Sequence, residues 1–170
     1  MEGLPKIKQE NIIEKPKIKE GVDFVFEQNP EFSQIGTEEQ YSEYLDTIFP
    51  ESKVRDIVYH GSKEKINKFY EPTSELSLGK PAIYFRKKIE KHAKDKLISH
   101  QVIINSEFPL IVNDFNEYSE IKNRRFHDSV YIKDEDEFAV FTAEKVYILG
   151  VNQDLENFKK FVENNKNTQG

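Results

Sequence analysis

Seven short runs rich in Val, Ile, Tyr and Phe follow Pro50, and they constrain the fold more than anything else in the sequence. They are 56–60, 82–85, 101–105, 110–113, 129–133, 138–141 and 145–149, most bounded by Gly, Pro, Asn or Asp. β-Branched and aromatic residues suit the half-buried surface of a pleated sheet, and turn residues at the ends limit the length, so each run reads as a strand. Between the second and third, the range 86–99 carries Ile89, Ala93 and Leu97 at four-residue spacing and reads as a helix. A last helix is expected to start with Asn152 as its cap and to bury Leu155, Phe158 and Val162, with 163–170 fraying. Strands interrupted by helices in this order give an α+β domain, not regular βαβ alternation.

The clearest helix precedes these runs. Thr37 and Gln40 stand in the capping-box arrangement, in which two side chains satisfy orphan amides of the first turn. Tyr41, Tyr44, Leu45, Ile48 and Phe49 then fall on one helical face, and Pro50 stops it. The start of the chain is different. Pro5-Lys6-Ile7-Lys8 recurs as Pro16-Lys17-Ile18-Lys19, and isolated Ile residues between prolines cannot build a core. The expected organisation is therefore a flexible Lys/Glu-rich extension over 1–23, a domain over 24–150, and a C-terminal helix with a frayed tail over 151–170.

Composition removes several classes of function. With 13 Phe and 8 Tyr, the chain has too many aromatics to be disordered, although 33% of its residues are charged. A net charge of -6 argues against coating nucleic acid by bulk attraction and leaves only a local basic patch. The absence of cysteine excludes disulfides, thiolate metal sites and thiol nucleophiles. No apolar run approaches the roughly 20 residues of a membrane span, and the first residues do not resemble a signal peptide, so a soluble cytoplasmic protein is expected. HExxH, glycine-rich phosphate loops and GxSxG elbows are all missing.

Three stretches remain that could carry chemistry. Tyr59-His60-Gly61-Ser62 ends the first run, where an imidazole can reach a cleft and a glycine backbone can approach a ligand closely. Taken alone, it is an ordinary turn. Ile83-Tyr84-Phe85 places two rings on opposite sides of a strand, which by itself is core packing. The acids Asp134 to Glu137 run into Phe138-Ala139-Val140-Phe141, and Glu137 is the one next to the strand. A solvated acidic turn would look the same.

In this order, the three stretches resemble the His–Tyr–Glu signature of the ADP-ribosyltransferase superfamily. They are most similar to the ADP-ribosyltransferase-like domains of polyvalent phage proteins. The similarity extends to Phe24–Pro30, to Gln40-Tyr41-Ser42-Glu43-Tyr44-Leu45-Asp46-Thr47-Ile48-Phe49-Pro50, to Asp128-Ser129-Val130-Tyr131-Ile132 and to Lys145-Val146-Tyr147-Ile148-Leu149-Gly150, covering roughly residues 24–150.

The resemblance implies a split β-sheet core with flanking N- and C-terminal helices. It also implies cleavage of the bond between nicotinamide and ribose in NAD, through a transition state with oxocarbenium character. Glu137 would stabilise that charge, His60 would hold a ribose hydroxyl, and Gly61 would meet the nicotinamide carboxamide. Tyr84 would lie against the nicotinamide ring, with Ser62, Phe85 and His92 also in the cofactor site. The three signature side chains would line one cleft sized for a dinucleotide. No metal is needed for this chemistry.

The chain would then be a mono-ADP-ribosyltransferase, an effector or toxin of a phage or bacterium, acting in the host cytoplasm. Its acceptor would be a protein or RNA, and an antitoxin or other partner could use the N-terminal extension. The alternatives are an NAD glycohydrolase and a catalytically silent interaction module. The latter is suggested by Pro81-Ala82, where the family has glycine, and by His92 and Asp95, where it has a hydroxyl residue and an aromatic. Glu135 stands where arginine-modifying relatives steer an acceptor, but within a general acidic run. The range 86–96 holds six Lys/Arg against two acids, enough to hold a pyrophosphate or an RNA strand, although a solvated helix face is the plainer reading.

Overall fold

The computed structural model describes residues 17–73, 78–89 and 94–170. Three helices come first: α1 (Val22–Gln28), α2 (Phe32–Ile35) and α3 (Glu38–Ile48). They are followed by β1 (Val58–Ser62), β2 (Ile83–Arg86), β3 (Ile98–Ile104) and β4 (Pro109–Val112). A short helix α4 (Phe115–Glu120), then β5 (Ser129–Ile132), β6 (Glu137–Val140), β7 (Val146–Ile148) and α5 (Asn152–Thr168) complete the chain. All seven expected strands are present, within a few residues of their expected ends, and the class is α+β. Among the described residues, no helix is long and apolar enough to cross a membrane.

The strands form one open sheet in the order β4-β5-β6-β2-β1-β3-β7, with β4 and β5 parallel and every other pair antiparallel. Its central joint is thin. β1 and β3 match over five residue pairs and β2 and β6 over four, whereas β1 meets β2 at a single pair, Tyr59 and Arg86. Two ladders thus share one point of contact.

The two faces of the sheet are buried differently. Residues opposite one another share a face, and faces alternate along a strand. On one face a single core spans both ladders, built from Val58, Val102 and Ile104 on one side of the joint and Phe85, Phe138 and Val140 on the other. The opposite face carries two separate cores. Tyr41, Phe32 and Phe158 from the helices pack over Tyr59, Ile103 and Leu149, while Tyr118 of α4 packs over Val112, Val130, Ile132 and Ala139. The common core holds the ladders together, while the other face leaves a seam at the joint.

α3 begins with the expected box: Gln40 N–H donates to Thr37 Oγ1 at 3.2 Å, and Thr37 N–H to Gln40 Oε1 at 3.0 Å. The expected extension over 1–23 is shorter than its sequence suggests. Lys19 N–H donates to Ser42 Oγ at 3.0 Å, and Val22 is fully buried as the first residue of α1, so 17–23 belong to the fold; 1–16 lie outside the described residues. Gly21 makes this possible. Its φ is 94°, a conformation strained for any residue with a side chain, and a Cβ there would sit 2.6 Å from Tyr59 Oη, so the ring would have to shift.

The helix expected over 86–99 is cut at both ends. Arg86 closes β2, and Ile98 and Ser99 open β3; Ala93 lies outside the described residues. α5 runs to Thr168 rather than fraying after 162, and Val151, not Asn152, is its cap.

One residue of α5 breaks the amphipathic pattern. Asp154 is fully buried beneath the aromatic core. Its carboxylate accepts from Tyr41 Oη at 2.5 Å, from Gly150 N–H at 2.8 Å and from Tyr44 Oη at 3.2 Å. Burial raises its pKa to about 6 against the pull of these donors, and burial followed by the Asp154 charge raises those of Tyr41 and Tyr44.

A carboxyl whose folded pKa is raised contributes stability at low pH that is lost as pH climbs through the folded value. Asp154 should therefore lower stability by roughly 3 kcal/mol between about pH 4 and pH 7. Asp154→Asn, which carries no charge at any pH, should flatten that part of the profile; urea titrations across this range are the measurement. Asp154→Ala, which strands three donors, should cost about 2–4 kcal/mol at neutral pH.

Candidate functional site at the strand joint

His60 sits where β1 and β2 part. Past Tyr59 and Arg86 the two strands no longer pair, which leaves the Tyr84 carbonyl without a backbone partner from β1. His60 Nδ1 takes it at 2.9 Å. A carbonyl only accepts, so Nδ1 carries the proton and Nε2 is left as an acceptor. The ring is wedged edge-on against Phe69, with centroids 5.0 Å apart, and tilted against Phe85 at 5.7 Å. Burial lowers the His60 pKa and so favours the neutral ring, and the bond to the Tyr84 carbonyl partly opposes this.

Tyr84 and Glu137 approach the joint from the other side. Register and alternation put Tyr59, Tyr84, Arg86, Glu137 and Ala139 on one face and Val58, His60, Phe85 and Phe138 on the opposite one. Glu137 is directly across from Arg86, whose Nη2 lies 3.7 Å from its carboxylate, and the Glu137 side chain is 16% exposed. Tyr84 packs at the edge of the α4 core, and its hydroxyl is buried without a hydrogen-bond partner among the described residues. Burial raises its pKa, and the Glu137 charge raises it further, so the phenol stays protonated beside the carboxylate. This corrects the expectation that imidazole, phenol and carboxylate line one cleft: His60 stands on one face of the sheet and Tyr84 and Glu137 on the other. They converge on one joint, from the two faces of the sheet.

Other expected site residues divide as follows. Phe85 is fully buried in the common core between Phe69 and Phe138, so it supports the site from beneath and cannot touch a ligand; this corrects its assignment as a cofactor contact. Ser62 is tied up locally: its hydroxyl donates to the Glu64 carbonyl and accepts from His100 Nε2 at 2.8 Å. Gly61 is half-buried in β1 opposite Ser99. His92 lies outside the described residues. The Glu135 carbonyl accepts from Arg86 Nη1 at 3.5 Å, which adds a second hold on that guanidinium.

Two participants escaped the sequence reading. His100 is opposite His60 in the β1–β3 ladder, and its pKa is lowered by burial first and by His60 among the lesser causes. The expected strand began one residue too late to include it. Arg86 read as part of a basic helix, whereas strand pairing makes it the ion-pair partner of Glu137. Among the described residues, no group of three or more His, Asp or Glu could hold a metal ion.

The arrangement offers a fixed neutral acceptor on His60, a shielded carboxylate held by a guanidinium, and a phenolic proton in search of a partner. Together they suit a ligand that carries hydroxyls and develops positive charge. No family model, no curated protein and no solved structure matches this chain.

Removing the Glu137 charge should lower the titration midpoint of Tyr84 while leaving it above the ordinary tyrosine value, because burial is the larger cause. Tyrosine ring-carbon NMR of the wild type and Glu137→Gln checks this. His60→Ala should leave the Tyr84 carbonyl without its donor and cost about 1–3 kcal/mol in urea unfolding, with a helical content unchanged by circular dichroism.

Proposed function

We propose that the chain is an NAD-dependent mono-ADP-ribosyltransferase of the His–Tyr–Glu type, a phage or bacterial effector or toxin that modifies a macromolecular acceptor. The observation that carries this reading is the meeting of all three signature residues at the single-pair joint of the sheet. There His60 clasps the backbone of Tyr84, and Glu137 shares the face of the sheet that carries Tyr84, whose pKa its charge helps to raise.

In this reading the ribose of NAD lies at the joint. His60 Nε2 accepts from a ribose hydroxyl, and the Tyr84 ring covers the nicotinamide. The bond between ribose and nicotinamide breaks with its electron pair leaving on nicotinamide, so positive charge grows on the ribose. Glu137, little exposed and held by Arg86, stabilises that charge, and its shielding from water strengthens the effect. A lone pair of the acceptor then forms the new bond at the same carbon, and the acceptor gives up its proton.

A silent interaction module is the second reading. It is favoured by the Arg86–Glu137 ion pair, which occupies the carboxylate, and by two cavities among the described residues, of about 530 and 670 Å³, whose walls include none of His60, Tyr84 and Glu137. With water as acceptor, the same chemistry is that of an NAD glycohydrolase.

Incubation with NAD labelled in its adenylate half and a bacterial lysate separates these readings. Label on macromolecules together with nicotinamide release is the expected result. Free ADP-ribose as sole product selects the glycohydrolase, and no release selects the module. Glu137→Gln should lower transfer by about 10²–10³-fold, the scale for losing one charge-directed group, without change in thermal stability beyond the loss of its ion pair with Arg86.

A further inference from the structure

A cavity of about 670 Å³ opens between the segment 17–20 and the strands at the joint. Its floor is apolar, made of Ile18, Ile57 and Tyr59. Its rim carries five cations, Lys17, Lys19, Arg55, Lys87 and Lys88, against the acids Glu20, Asp46 and Asp56. The cavity is therefore net positive on a chain whose net charge is -6.

These cations have different duties. Lys19 and Arg55 are built into the wall: Lys19 Nζ lies 2.8 Å from the Asp46 carboxylate and donates to the Arg55 carbonyl, and Arg55 donates to the carbonyls of Phe49 and Pro50. Between them they neutralise Asp46. Lys87 lies over the ring of Tyr131. Lys17 and Lys88 are exposed and form no ion pair with a described residue. They come from segments some seventy positions apart in sequence, brought together by the pairing of Tyr59 with Arg86.

We propose that this cavity binds the phosphate backbone of a single-stranded nucleic acid. Three features select that ligand. The cations answer phosphates, and the apolar floor can take a base, which must leave a duplex stack to reach it. A strand also carries several phosphates, which suits cations supplied by two separate segments, Lys17 from one and Lys88 from the other. Tyr59 on the floor is two strands from Glu137, about 10 Å. On the transferase reading, from which this last step follows, a strand seated in the cavity is the acceptor.

Fluorescence anisotropy with short labelled single-stranded RNA and DNA, without NAD, is the test. Binding of either probe is expected to fall steeply with salt. The double variant Lys17→Gln, Lys88→Gln should bind at least about tenfold more weakly, with a salt slope shallower by about 0.7 for each lost contact. Lys17→Glu with Lys88→Glu should abolish binding, while circular dichroism stays native because both side chains are exposed.

No binding of either probe, unchanged binding by the double variants, or displacement by equimolar ADP overturns the proposal. Nicotinamide release assayed in parallel keeps the two readings apart. Cleavage of NAD without oligonucleotide binding retires the cavity proposal alone. Binding without cleavage retires the transferase reading and supports the cavity as a nucleic-acid site.

Discussion

The hydrogen bond from His60 to the Tyr84 carbonyl is the constraint around which this sheet is organised. An antiparallel pair would continue past Tyr59 and Arg86, and backbone amides would take the carbonyls of β2. Here an imidazole substitutes for an amide. A side chain reaches farther than a backbone group, so β1 and β2 can diverge without leaving a buried acceptor unmet. The opening and its repair are made by the same residue.

Packing explains why the parting does not divide the molecule. The core shared by both ladders runs beneath the joint through Phe85, Phe138 and Val102, while the opposite face is covered in two separate pieces. Continuous burial on one side and interrupted burial on the other give a rigid floor under an open seam. Arg86 and Glu137 lie at that seam, where a charged pair keeps some contact with water and avoids the desolvation cost of a fully buried one. Asp154 is the contrasting case, a carboxylate sealed under aromatic rings and tolerated through its three donors.

Much of this architecture was legible in the residues. Capping chemistry at Thr37 and Gln40 is local and was read correctly, and all seven strands announced themselves through β-branched and aromatic runs between breakers. The short helices α1, α2 and α4 gave no adequate signal, since four to seven residues do not fill two turns of periodicity. The four-residue spacing of Ile89, Ala93 and Leu97 said nothing of the strand ends on either side, because Arg86 pairs with Glu137 and Ile98 and Ser99 pair with Ser62 and Gly61 only in the assembled sheet. For the site, residue types and order identified His60, Tyr84 and Glu137, but nothing local says which face a residue takes or who stands opposite. Arg86 as partner of Glu137, His100 beside His60 and the burial of Phe85 are products of register, which is a property of the assembled sheet.

Gly21 has a mechanical consequence. The chain passes the Tyr59 hydroxyl so closely that a side chain would displace it, and Lys19 is moored to α3 just before it. The strand residue so clamped is the immediate neighbour of His60. A methyl group added at Gly21 would therefore press first on the Tyr59 hydroxyl, and through that ring on the strand beside the open seam.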